Sequence, residues 1–231
     1  MRKRKYLIGA SLGVMGAMLF ASTAFAGAPT GQTLTTTISP SKNVKNTPAS
    51  LHNIIATSYS DFSASPSPRE TKFTLGKGIV LGNGNAPACA SSVLQAATNT
   101  AAILAQCPRS VVGSGTAQVN GGTGLFPGTD PVLLVKGGPT TLFIWVRINN
   151  ALTLVLNGQY AKGPNTLDVT GLPNTPGTDL TNFDTTFTKT GKQSYVKVSC
   201  PKGKWNNSET TTYYNGQSTT ASNKLKCKAK K

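Results

Sequence analysis

Acidic side chains are scarce in this chain. Asp and Glu number 7 in 231 residues, and His occurs once. Charged residues make up 13% of the total, about half the usual share. Carboxylate pairs, His bases and His-rich metal sites all draw on these residue types, so the shortage weighs against most hydrolases. The 4 cysteines include no C-x-x-C pair, and His52 is far from all of them in sequence, which argues against zinc. Past the N-terminal region there is no long apolar stretch of the kind that spans a membrane as a helix. Glycine (24) and proline (14) stay below the level of collagen-like or disordered chains.

Basic residues are abundant: 23 Lys and Arg give a formal net charge of +16. Four of them, Arg2, Lys3, Arg4 and Lys5, precede an apolar run from Tyr6 to Phe20, and Ala24-Phe25-Ala26 follows. A basic start, a short apolar run and an A-x-A site form the pattern of a secretory signal peptide. The run is shorter than the ~20 residues of a membrane helix. No Cys follows the cleavage site and no Arg-Arg pair precedes the run, so general secretion is expected rather than lipid anchoring or twin-arginine export. Removal of residues 1–26 takes away four basic residues and leaves 205 residues with a charge of +12.

Cys89, Cys107, Cys200 and Cys227 all fall in the mature part. An even number of thiols in an exported chain predicts two disulfides. Three pairings are possible. Cys89–Cys107 with Cys200–Cys227 is favoured because each pair brackets one local unit.

The mature chain alternates with a period of two. Phe73 and Leu75 share a face, as do Leu142, Ile144, Val146 and Ile148, with Phe143, Trp145 and Arg147 opposite. The same alternation runs through Leu152, Leu154 and Leu156, through Phe183, Thr185 and Phe187, and through Val196 and Val198. Such runs predict half-buried strands. Asn157-Gly158 and Asn215-Gly216 are hairpin signals. Gly137-Gly138-Pro139, Gly163-Pro164-Asn165 and Gly171-Leu172-Pro173 mark loops. The expected fold is an all-β antiparallel sandwich, Ig-like or jelly-roll-like, forming one domain over residues 27–231. One helical segment is expected over 91–106, with Ser91 or Ser92 as N-cap. Its apolar face would hold Val93, Leu94, Ala97, Ala101 and Leu104.

Motifs with chemical content are few. Gly113-Ser114-Gly115 lacks a third glycine, and Gly76-Lys77-Gly78 has no phosphate-loop frame, so both are expected in turns and no cofactor is expected. Leu172-Pro173-Asn174-Thr175-Pro176 resembles the start of a sortase wall-anchoring signal. It has Pro176 where that signal has Gly, and polar residues follow. His52 would need an acid such as Asp61 or Asp130 and a nucleophile. Its segment reads as a strand and no Gly-x-Ser-x-Gly occurs. No catalytic or metal-binding role is expected.

Candidate ligand-binding residues are Trp205, Tyr213, Tyr214, Lys224, Lys226 and Lys228. Exposed aromatics can stack on sugars, but such residues more often pack in cores. The last eight residues contain five lysines. They suit an anion-binding tail, or an edge strand whose lysines block edge-to-edge pairing.

Two stretches resemble a family of uncharacterised exported actinobacterial proteins. One runs from Pro87-Ala88-Cys89 through Leu94 and Cys107-Pro108 to Val112-Gly113-Ser114-Gly115-Thr116-Ala117. The other joins Cys200-Pro201-Lys202-Gly203 to Tyr214-Asn215-Gly216 and Cys227. Asn215 stands where the family pattern has Asp. The resemblance implies secretion, a β-sandwich and the two local disulfides, and no activity. The expected role is therefore that of a secreted or cell-wall-associated protein with a structural or adhesive function. The alternative is a binding module for anionic or carbohydrate wall polymer. Partners would be such a polymer or another surface protein, not nucleic acid.

Overall fold

A computed structural model describes residues 29–60, 65–82, 85–121, 128–163, 165–175, 178–191 and 194–230. The expected signal peptide and Asp61 lie outside the described residues. Strands β1 (Pro29–Ser39), β2 (Thr47–Tyr59), β3 (Pro68–Thr74) and β4 (Ile79–Val80) come first. Helices α1 (Ser91–Ala96) and α2 (Thr100–Gln106) follow. Then come β5 (Val111–Gly121), β6 (Asp130–Lys136), β7 (Thr141–Ile148), β8 (Leu152–Ala161) and β9 (Thr166–Thr170). The chain ends with β10 (Thr178–Phe187), β11 (Val196–Val198), β12 (Lys204–Tyr213) and β13 (Ser218–Lys226).

The fold is all-β and antiparallel, with one short helical segment. The strands form one sheet in the order β13-β12-β3-β9-β8-β7-β6-β5-β10-β2-β11-β4, and β1 also pairs with β2. Right-handed twist curls a sheet of this many strands, and here β1 comes to lie against β13. Gln32 Nε2 on β1 donates to Thr211 Oγ1 on β12 (3.2 Å). The two facing layers are thus made by one continuous sheet rather than by two.

The alternating residues fill the space between the layers. Leu142, Ile144, Val146 and Ile148 of β7 all join the main core, with Leu51, Phe73, Phe183 and Trp205. The opposite face of β7 is also covered. Trp145 is 0% exposed beneath the helical segment, with Leu133, Val135, Leu94 and Ile103 around it. Its indole N–H donates to the Leu94 carbonyl (3.1 Å).

The helical segment is two helices rather than one. Ala97 is extended and ends α1, and Asn99 caps α2 by accepting from the Ala102 N–H (2.9 Å). The N-cap of α1 is Ala90, with no side-chain cap, so neither Ser91 nor Ser92 caps it. The break rotates the second apolar face: Ile103 is buried while Leu104 is 46% exposed. Cys89–Cys107 closes the unit, and Cys200–Cys227 joins the end of β13 to the segment before β12.

Two glycine motifs lie inside strands, not in turns. Gly113 and Gly115 sit in β5, where β10 passes so close that a Cβ on Gly115 would meet the Asp184 carbonyl at 1.9 Å. Asn157-Gly158 lies in the middle of β8, and Gly158 takes the close approach of Leu142 O and Leu167. The tight turn between β7 and β8 is made instead by Asn149 and Asn150, both with positive φ (47° and 53°). Asn tolerates that conformation better than other side chains. Asn215-Gly216 does turn between β12 and β13, with Gly216 at φ 85°.

Candidate functional site

The ends of the curled sheet differ in chemistry. At one end, three segments converge: residues 41–46 after β1, residues 199–206 around the start of β12, and residues 223–230 at the chain terminus. The Val44 N–H donates to Lys228 O (3.1 Å), and the Lys228 N–H donates to Ser41 O (2.9 Å). The Cys227 N–H donates to Gly203 O (2.9 Å), and the Asn46 N–H donates to the Ser199 hydroxyl (2.8 Å). The Cys200–Cys227 bridge fixes the last two segments to each other.

These contacts gather Lys42, Lys45, Lys202, Lys204, Lys224, Lys226, Lys228 and Lys230, all exposed. Neither Asp nor Glu occurs in the three segments. Lys204 stands directly opposite Lys226 in the β12–β13 ladder, and Asn206 stands opposite Lys224. Among the described residues, the ion pairs are Lys72–Asp168 and His52–Asp184, both outside this group. Each lysine presents three N–H donors and a charge to solvent. The pole can therefore hold a polyanion by charge and hydrogen bonding, and among its described residues no side chain is a carboxylate or imidazole.

The sequence-predicted residues separate. Lys224, Lys226 and Lys228 belong to the pole. The strand predicted for the terminus stops at Lys226, and Lys228 and Lys230 lie beyond it, against residues 41–44. Trp205 is 0% exposed and its indole donates to Ser199 O (2.8 Å), so it is a core residue. Tyr213 is 1% exposed, edge-on to Tyr59 with ring centroids 6.5 Å apart. Tyr214 is exposed, but it lies at the opposite end of β12, where its hydroxyl donates to Leu172 O (2.9 Å). No shared aromatic surface joins these three. Lys42, Lys45, Lys202 and Lys204 had no sequence signal, because they are scattered in single positions and meet only through the fold.

His52 does face an acid. Its Nε2–H donates to Asp184 Oδ1 at 2.7 Å across the β2–β10 ladder. The acid is neither Asp61 nor Asp130; the latter accepts from the Asn149 N–H (2.7 Å). The pair is partly exposed, and among the described residues no hydroxyl is hydrogen-bonded to the ring.

Acid is also buried between the layers. Glu209 on β12 is 0% exposed and lines a cavity of about 50 Å³ with Gln32, Tyr59 and Thr211. Burial pushes its carboxyl up to about 7, while the hydrogen bond from the Thr211 hydroxyl pulls it down. Asp179 is likewise 0% exposed, and burial raises it to about 6 against the pull of the Ser65 hydroxyl. Burial also raises the Tyr59 and Tyr213 hydroxyls. The chain matches no protein-family profile, no curated protein and no solved structure.

Proposed function

We propose that this is an exported, non-catalytic protein that attaches to anionic polymer of the cell envelope through its lysine pole, in a structural or adhesive role. The observation that carries this reading is the convergence of eight exposed lysines, without an acid among them, on backbone locked by a disulfide. In water an ion pair at 4 Å contributes about 1 kcal/mol, so single lysines hold little and several acting together hold a polymer. The choice of envelope polymer over nucleic acid rests on the N-terminal signal pattern. Two disulfides suit an oxidising compartment. The resemblance to exported actinobacterial proteins points the same way.

Co-sedimentation of the mature chain with purified anionic wall polymer tests the reading. Retention should be strong at low salt and lost near 1 M salt, where the screening length falls to about 3 Å. The variant carrying Lys224→Gln, Lys226→Gln and Lys228→Gln should be retained much less at low salt. Retention that ignores both salt and the substitutions overturns the proposal.

A further inference from the structure

The geometry points to a second binding site, at the far end of the layers from the lysine pole: a cavity that takes a small primary alkylammonium ion, with Glu209 as its counter-charge. β12 starts in the pole at Lys204 and ends at Tyr213, beside the cavity. The walls are apolar, formed by Ile55, Phe73, Leu156, Val169 and Phe183 among others. Among the described residues of the lining, Glu209 is the one carboxylic acid, and no Lys, Arg or His joins it.

Its two oxygens differ. Oε1 accepts from the Thr211 hydroxyl. Oε2 has no hydrogen-bond partner among the described residues, and neither does Gln32 Oε1 in the same lining. With Glu209 ionised, as at pH 8, both open atoms are acceptors. A ligand that satisfies them must donate, and buried polar atoms left unpaired are costly. A primary ammonium group offers three N–H donors, no acceptor and one positive charge. A carboxylate ligand would be repelled. An alcohol would offer a single donor and no charge. A metal ion would need more ligands, and among the described residues no group of three His, Cys, Asp or Glu is gathered.

Size narrows the class. A water needs 10–15 Å³ of cavity, so about 50 Å³ admits roughly four non-hydrogen atoms. Propylammonium fits that limit, with its nitrogen at Glu209 and its carbons along Leu156 and Phe183. A second apolar cavity of about 70 Å³ shares Pro68, Leu156, Leu172, Leu180 and Phe183 with the first, so a longer chain would continue into it. A bound cation favours the ionised carboxyl, so uptake near pH 6 releases a proton from Glu209.

The test is calorimetric titration of the mature protein with propylammonium chloride at pH 8 and constant ionic strength. Propan-1-ol and tetramethylammonium chloride are the comparison ligands, and Glu209→Gln and Gln32→Leu the variants. Saturable millimolar binding is expected for propylammonium, at least about tenfold weaker for either comparison ligand and for Glu209→Gln, which corresponds to a loss of 1.4 kcal/mol or more. Thermal melting confirms that each variant is folded, and Glu209→Asp serves if Glu209→Gln is not. At pH 6 the heat should depend on the buffer's ionisation enthalpy. Equal binding by propan-1-ol, equal binding by Glu209→Gln, or no saturable heat overturns the site. The triple lysine variant should bind propylammonium as the unsubstituted protein does, which keeps this outcome separate from that of the pole.

Discussion

Burying Glu209 makes the fold more stable in mild acid than in mild base. The carboxyl lies between Gln32 of β1, Tyr59 of β2, Thr71 of β3 and Tyr213 of its own strand, and Asp179 of β10 raises the same tyrosines. Those neighbours supply no positive charge. Its pKa rises from 4.5 to about 7 on folding, a change worth about 3 kcal/mol. Below the unfolded value both states carry the proton and nothing is lost. Between the two values the folded chain binds more proton than the unfolded one, so stability falls as pH rises. Above the folded value the full penalty applies. Glu209→Gln removes the charge, keeps the shape, and gives Gln32 Oε1 an amide donor. At pH 8 the variant should therefore melt higher by about 6–12 °C, taking 2–4 °C per kcal/mol for a chain of this size. At pH 4.5 the two proteins should melt together. The assay is paired thermal unfolding by circular dichroism across that range. A variant that is destabilised at pH 8, or a difference that does not change with pH, would refute the reasoning.

Other perturbations reach different parts of the molecule. Replacing Cys200 and Cys227 by Ser opens a loop of 27 residues and should cost about 3–4 kcal/mol in urea unfolding by the chain-entropy account. Trp145→Ala empties the site under the helices and leaves Leu94 O without its indole donor; a loss of about 3–5 kcal/mol is expected in the same assay. Lys226→Thr removes a like charge directly opposite Lys204, so it should raise stability by up to about 1 kcal/mol at low salt while weakening polymer retention. Mass analysis of the protein recovered from culture medium should give a chain beginning at Gly27; an intact Met1 would count against export.

Much of the fold was legible because a strand with one buried face writes its period into the sequence. The β7 segment shows this at Leu142, Ile144, Val146 and Ile148, and even Trp145 on the other face found cover. The local disulfides were legible for a similar reason: each bridge closes one supersecondary unit. Glycine misled. In Gly113, Gly115 and Gly158 the missing side chain serves close approach of a neighbouring strand, not a turn, and composition cannot separate these uses. The curling of one sheet onto itself was hidden too, because strand order is set by long-range pairing such as β3 with β12 and β9. At the pole, the terminal lysines stood out as a run. Lys42 and Lys45 joined them only through backbone contacts to segments about 160 and 180 residues away, and Lys202 and Lys204 through the β12–β13 pairing and the disulfide.

The pole carries more charge than edge protection needs. An edge strand is guarded adequately by one or two lysines that would be buried by a docking neighbour. Here six further exposed lysines come from beyond or beside that strand, and Lys204 and Lys226 face each other at a cost to stability. The shortage of acids has a role in this. With Glu209 and Asp179 enclosed between the layers, and Asp168 and Asp184 engaged with Lys72 and His52, little negative charge remains to offset the pole. A lone cationic tail would spread its charges apart and relieve their repulsion. The Cys200–Cys227 bridge and the hydrogen bonds to residues 41–46 prevent that relief. Repulsion that is locked into the folded state is repaid only when an anion arrives, so binding a polyanion should stabilise this end of the molecule more than salt alone does.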